Sequence, residues 1–149
     1  MSQLIITVIA IALFAGLICA GTNYVNQDKM MISQEETRMR NGIVQLRSAV
    51  TIYYNNFGEF PDNYDEIKVN TTSMNFPTGM FIESYGNNEA TGDHYFCIKS
   101  KTTPVITGAI AAVRNNNPTE KLYVNNQCGK NVDTSYDKLS SNFYLNFFL

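Results

Sequence analysis

The side chains best able to do chemistry in this chain are three cysteines and a single histidine. His94 shortly precedes Cys97, but zinc wants about four ligands at close spacing, and this pair matches no such pattern. Asp93-His94 follows Gly92 and reads as turn surface rather than an acid–base pair. Ser140-Ser141 lacks the context of a nucleophile elbow, and no glycine loop could cradle phosphate. Asp133 and Asp137 flank a short segment that could help hold calcium, but EF-hand spacing is missing, so a surface loop is the better reading. No catalytic, cofactor-binding or metal-ligating residue is therefore expected, nor an enzyme. Cys97 and Cys128 lie roughly 30 residues apart in the C-terminal half. Bridged, they would contribute about 3–4 kcal/mol by closing that loop; the alternative is two buried thiols. Cys19 stands apart, in an apolar run.

The elements that carry these residues follow from the rest of the sequence. Its 149 residues suit one domain with an appendage. Charged residues make up 16% and the net charge is −2. No basic stripe exists for counterion release, which argues against nucleic acid as a partner. Polarity comes instead from Asn, Thr, Ser and Tyr, as suits an exported surface that packs against copies of itself.

From Leu4 to Ala20 only Thr7 is polar. A helix of about 17 residues spans about 25 Å, a little short of a hydrocarbon core of about 30 Å; extension to Val25 crosses it. A cleaved signal peptide would need a basic start, and Met1-Ser2-Gln3 has no charged side chain. Lipid attachment at Cys19 fits worse, because Leu17 and Ile18 precede it in the wrong arrangement. A plain single-pass anchor remains, beside the filament reading given below.

No proline interrupts the chain from Met1 to Pro61, so one helix of about 55 residues and some 80 Å is expected. Glu36 and Arg40 stand four apart in the favourable order. Met39, Ile43, Leu46, Val50, Tyr53 and Phe57 then recur at spacings of four and three, an apolar stripe on one face. The helix thus has an apolar zone, a polar zone and an amphipathic zone. A coiled-coil seam would want more heptads, so the stripe is expected to pack on the chain's own sheet.

At its C-terminal end this helix leads into LRSAVTIYYNNFGEFPDNYDEI, Leu46 to Ile67. With the apolar start, the Tyr53, Tyr54, Phe57, Gly58, Phe60 and Pro61 pattern resembles type IV pilins and the pseudopilins of type II secretion. The likeness covers roughly the first 67 residues. Gly58 can take a positive φ at the helix end, and Pro61 prevents its resumption. Two positions depart from the family pattern: Ile5 stands where most members have glutamate, and Thr22 where a proline is usual. A start at Met1 resembles mature b-type pilins, and lack of the acid resembles minor, tip-located members.

The resemblance implies a structural subunit of a bacterial type IV pilus, held in the inner membrane before assembly and extracellular afterwards. Its alternatives are a pseudopilin and a monomeric membrane-anchored binding module. Leu4, Ile5, Ile6, Val8, Ile9, Leu13, Phe14 and Leu17 would form the filament core. Glu36, Arg38 and Arg40 would set register between subunits. Met1 would be the site of prepilin-peptidase processing and N-methylation, and Cys97–Cys128 would correspond to the family's C-terminal disulfide loop. Implied partners are further copies of the chain, other pilins, the membrane and an inner-membrane assembly platform with its ATPase.

The fold class expected is α+β: residues 1–25 as the membrane or filament-core helix, 26–57 as its second half, and 58–149 as the head. Within the head, His94–Ser100, Lys121–Gly129 and the alternating NFYLNFFL at the C-terminus read as strands. Thr107–Arg114 reads as a short helix with Thr107 as N-cap. Lys68–Phe81 reads as a loop. Three or four antiparallel strands should lie over the amphipathic part of the long helix, with Cys97 and Cys128 on adjacent strands or at their ends.

Overall fold

The structure, a computed structural model, describes residues 6–7, 9, 11–12, 27–67, 74, 76–88 and 91–149. The chain divides into two compact units, Met1–Met31 and Ile32–Leu149. In the first, residues 6, 7, 9, 11 and 12 are helical, with exposed side chains. Among the described residues no helix is long and apolar enough to cross a membrane. Most of the Leu4–Ala20 run lies outside the described residues, including Met1, Leu4, Ile5, Val8, Leu13, Phe14, Leu17 and Cys19. So does the middle of the expected continuous helix.

The architecture is α+β, one long helix with a four-stranded antiparallel sheet. Helix α1 is Gln27–Phe57. It buries Met39, Ile43, Leu46 and Val50, with Gly42 and Ala49 filling the same face. Gly42 permits a close approach: a Cβ there would meet the Phe76 ring at 2.7 Å. Tyr53 is half-buried against the core. The expected packing of Phe57 is not found, since it is 65% exposed. It is the last helical residue, its ring neighbour is Tyr53 at 4.6 Å, and the stripe runs one turn past the core. Gly58 ends the helix as expected, with φ 78° and its N–H donating to the Tyr54 carbonyl at 2.8 Å.

The strands are β1 (Phe81–Asn87), β2 (His94–Lys101), β3 (Leu122–Asn125) and β4 (Asn142–Phe148), in the order β1-β2-β4-β3. The C-terminal strand is therefore central. One face carries Phe96 and Ile98 on β2, paired with Phe147 and Leu145 on β4, which pair in turn with Leu122 and Val124 on β3. These side chains join the α1 stripe in a single core. The other face is covered too at Asn146 and Phe148, more burial than a half-buried strand implies. Strand β1 was not expected; only its first residue, Phe81, falls within the expected loop. A bulge between Ile82 and Ser84 breaks its alternation, which hides the period-two signal.

Helix α2 is Pro104–Asn116, longer than expected and capped four residues earlier. Thr103, not Thr107, is the N-cap: its Oγ1 accepts from the Ile106 N–H at 3.2 Å. Pro104 follows at the first helical position, where a missing N–H costs nothing. The Thr107 hydroxyl instead donates to the Thr103 carbonyl at 3.0 Å. Ile106, Ala109, Ile110 and Val113 bury the inner face of α2.

Candidate functional site

The expected register charges sit on α1 before and within its contact with the head. Glu36 and Arg40 do not form the anticipated pair. The Asn116 amide, at the end of α2, donates to Glu36 Oε1 at 2.7 Å, so the carboxylate already has a partner in its own head. Arg38 pairs instead with Glu35, one turn earlier, at 3.0 Å. Arg40 is exposed and makes no ion pair among the described residues. Of the three, Arg40 is the one without a partner for its charge among the described residues.

Longer-range charge pairs hold the head together, and spacing gave no hint of them. Arg47 forks onto Glu120, with Nη2–Oε2 at 2.8 Å, and its guanidinium lies over the Phe147 ring at 5.3 Å. Arg114 forks onto Asp133 at 3.2 and 2.6 Å. Asp133 also accepts from the Val124 N–H at 2.9 Å. That carboxylate is thus a fastener between α2 and β3. Among the described residues no group of three or more His, Cys, Asp or Glu is placed to hold a metal ion.

Cys97 and Cys128 form a disulfide, with Cα atoms 5.4 Å apart. Their strands are not neighbours, contrary to expectation. β4 lies between β2 and β3, so the loop after β3 must cross β4 to reach Cys97. Asn146, fully buried and opposite both Cys97 and Tyr123, makes that crossing possible. Its amide donates to the Gln127 carbonyl at 3.0 Å and its Oδ1 accepts from the Gly129 N–H at 2.8 Å. A buried amide satisfied in this way fixes the loop to one position. Gly129 has φ 73°, and a Cβ there would meet the Tyr95 hydroxyl at 2.8 Å, so only glycine fits.

Aromatic rings connect the end of α1 to the sheet. Tyr54 lies 4.9 Å from Phe60, and Phe60 stacks on His94 at 4.4 Å. His94 stacks in turn near Tyr85 at 5.6 Å, and Tyr85 meets Phe96 at 4.8 Å. His94 is therefore not turn surface; it opens β2 inside a ring stack. Its Nδ1 and the Tyr85 hydroxyl are buried without a hydrogen-bond partner among the described residues. Burial pushes the Tyr85 phenol upward, with Glu66 and Asp62 adding to the shift. Burial holds the His94 imidazole below its ordinary range, partly countered by the Asp62 carboxylate.

A lowered folded-state value means that the unfolded chain binds the His94 proton more readily. The contribution of His94 to stability is whole above the unfolded value of about 6.5. It falls as pH drops below that, and levels off once the folded imidazole is also protonated. His94→Phe keeps the stack and removes the titration. Thermal melts between roughly pH 7 and pH 5.5 should then show a smaller loss of Tm in the variant than in the wild type. Equal losses would remove His94 from the account.

Beyond the join, apolar side chains remain uncovered. Val44, Ile52 and Tyr54 on α1 are exposed, as are Phe60 in the following loop, Phe81 on β1 and Val132 near Asp133. In the N-terminal unit Met30 and Met31 are exposed, together with Ile6, Ile9 and Ile11. No protein-family model, curated protein or solved structure matches this chain.

Proposed function

We propose that the chain is a structural subunit of a type IV pilin-like filament, polymerising through its N-terminal helix. One observation carries this reading. The described isoleucines of the apolar run, Ile6, Ile9 and Ile11, are 65%, 54% and 64% exposed in the single chain. Isoleucines exposed in this way, within an apolar run of this length, call for lipid or neighbouring apolar helices around them.

In the filament, each chain would bury its first zone against copies of itself. About 1,500 Å² of apolar surface at about 25 cal/mol per Å² corresponds to roughly 35–40 kcal/mol relative to water. The bilayer already hides that surface, so the net gain on leaving it is far smaller. A motor, working through an inner-membrane platform, must therefore drive extraction. The disulfide-closed head would form the outer layer, and its pinned loop would keep one shape in an oxidising exterior. Processing and methylation at Met1 belong to the same proposal. The role proposed is structural.

Electron microscopy of sheared surface material, with antibody against the head, tests this directly. Labelled fibres are expected. Cells that carry the chain but shed no labelled fibre would favour a membrane-anchored binding module instead. The register charges give a second expectation. Arg40→Ala should lower fibre yield several-fold while the head stays folded, because its charge makes no ion pair among the described residues. Glu36→Ala should do so less, since part of its role is the bond to Asn116. Normal fibre yield in both variants would remove these charges from the interface.

A further inference from the structure

Between the C-terminal end of α2 and strand β3 lies a cleft of ≈ 470 Å³. It is lined by Tyr123 and Tyr136, by Asn115 and Asn117, and by Arg114 and Glu120 from the charged pairs. The size falls within the roughly 300–1,000 Å³ of small-molecule sites. Its chemistry narrows the ligand. Both charges on the wall are already neutralised by forked partners, Arg114 by Asp133 and Glu120 by Arg47. An ionic ligand would have to break one of these forks to find an opposite charge. What remains is uncharged: an exposed Asn115 amide with no hydrogen-bond partner among the described residues, and phenol rings.

Rings offer a face for the C–H side of a pyranose, and planar amides offer a donor and an acceptor side by side for adjacent hydroxyls. The site is also built rather than loose. Asp133 ties the segment before Tyr136 to both Arg114 and β3. The Asn117 amide donates to the Val113 carbonyl at 3.1 Å and closes the end of α2. The two tyrosines approach from different segments, Tyr123 on β3 and Tyr136 in a 3₁₀ turn spanning Tyr136–Lys138. Pro118 and Leu122 also line the cleft.

We propose that this cleft binds a neutral saccharide, with Tyr136 and Tyr123 as stacking platforms and Asn115 as the hydroxyl-reading amide. The site is independent of polymerisation, so a subunit anchored singly in a membrane would carry it equally.

The test is titration of the full-length protein, in a sugar-free detergent, with lactose, cellobiose and N-acetylglucosamine, followed by NMR. Saturation transfer to the ring protons of at least one probe is expected. Tyr136→Ala and Asn115→Ala should each weaken that probe about tenfold. Tyr136→Phe, which keeps the ring, should retain most of the binding. Tyr54→Ala, on a different surface, should leave it unchanged. All three positions targeted for loss or control are exposed, and an unchanged amide spectrum outside the cleft would confirm that each variant is folded. No transfer to any neutral probe would overturn the proposal. So would transfer indifferent to Tyr136 and Asn115, or stronger binding of inorganic phosphate or of an uncharged Ser-Gly peptide.

Discussion

Replacing Cys97 and Cys128 together with serine should lower the stability of the head by about 3–4 kcal/mol. The bridge joins residues with a sequence separation of 31. Releasing it restores to the unfolded chain the freedom that loop closure removes. A second loss follows in the folded state. The loop from Gln127 to Gly129 crosses β4, held there by the disulfide and by the buried amide of Asn146. Without the bridge, the crossing keeps that amide and the longer Asn88 amide to Gly129 carbonyl contact at 3.4 Å, and loosening it leaves a buried polar group with fewer partners. A domain of ordinary stability has about 5–15 kcal/mol in total, so the variant should stand near the margin. Urea unfolding of wild type, reduced wild type and the double variant provides the check. Reduced wild type and variant should unfold at similar midpoints, both well below the oxidised protein. Midpoints unchanged by reduction would show that the bridge contributes little.

Phe147→Ala should cost about 3–5 kcal/mol, as expected for removing a fully buried ring. Phe147 is 0% exposed on the central strand β4, between Phe96 and Leu122. Neighbours on both sides are themselves fixed in paired strands, which limits collapse into the vacated space. The Arg47 guanidinium over the ring would also lose its aromatic partner. Phe57→Ala provides the contrast. That residue belongs to the same apolar stripe by sequence but is mostly exposed, so the change should stay within about 0.5 kcal/mol. Chemical denaturation of both variants distinguishes burial from pattern. Similar costs for the two would mean that Phe57 is covered in the folded protein.

Phe57 also shows how far a sequence can be read. Period 3.6 marks the face of α1 that meets the core, because buried positions must share one side of a helix. The period does not mark where the core ends, and the stripe continues for one turn beyond it. The helix terminus was legible at Gly58, where a local backbone demand selects the residue. The start of α2 carried an equally local signal in Thr103-Pro104, but Thr107 offered a competing cap nearer the alanines. Strand β1 was hidden because a bulge and a Gly-Ser-Glu content mask alternation. The position of β4 between β2 and β3 depends on which backbones hydrogen-bond to one another, and no local pattern reports that.

The same division applies to the sites. The disulfide was anticipated from two cysteines placed about 30 residues apart in the C-terminal half, in a head expected to be exported. The crossing over β4 was not, since it depends on a buried asparagine that sequence reads as surface polarity. The Arg47–Glu120 fork, with a separation of 73 residues, and the ring stack around His94 arise only once the sheet has formed. The cleft between α2 and β3 draws its walls from four segments and has no signature along the chain.

The proposed filament role depends on the apolar N-terminal segment, and the fate of that segment in any fibre can be read by mass. Intact-mass and peptide analysis of fibre-borne protein should recover the segment Leu4–Ala20, with Met1 at its front and methylated on the amine. Recovery of a fibre-borne or secreted chain that begins near Thr22 would mean that the apolar zone is discarded, and that it cannot be what holds the subunits together.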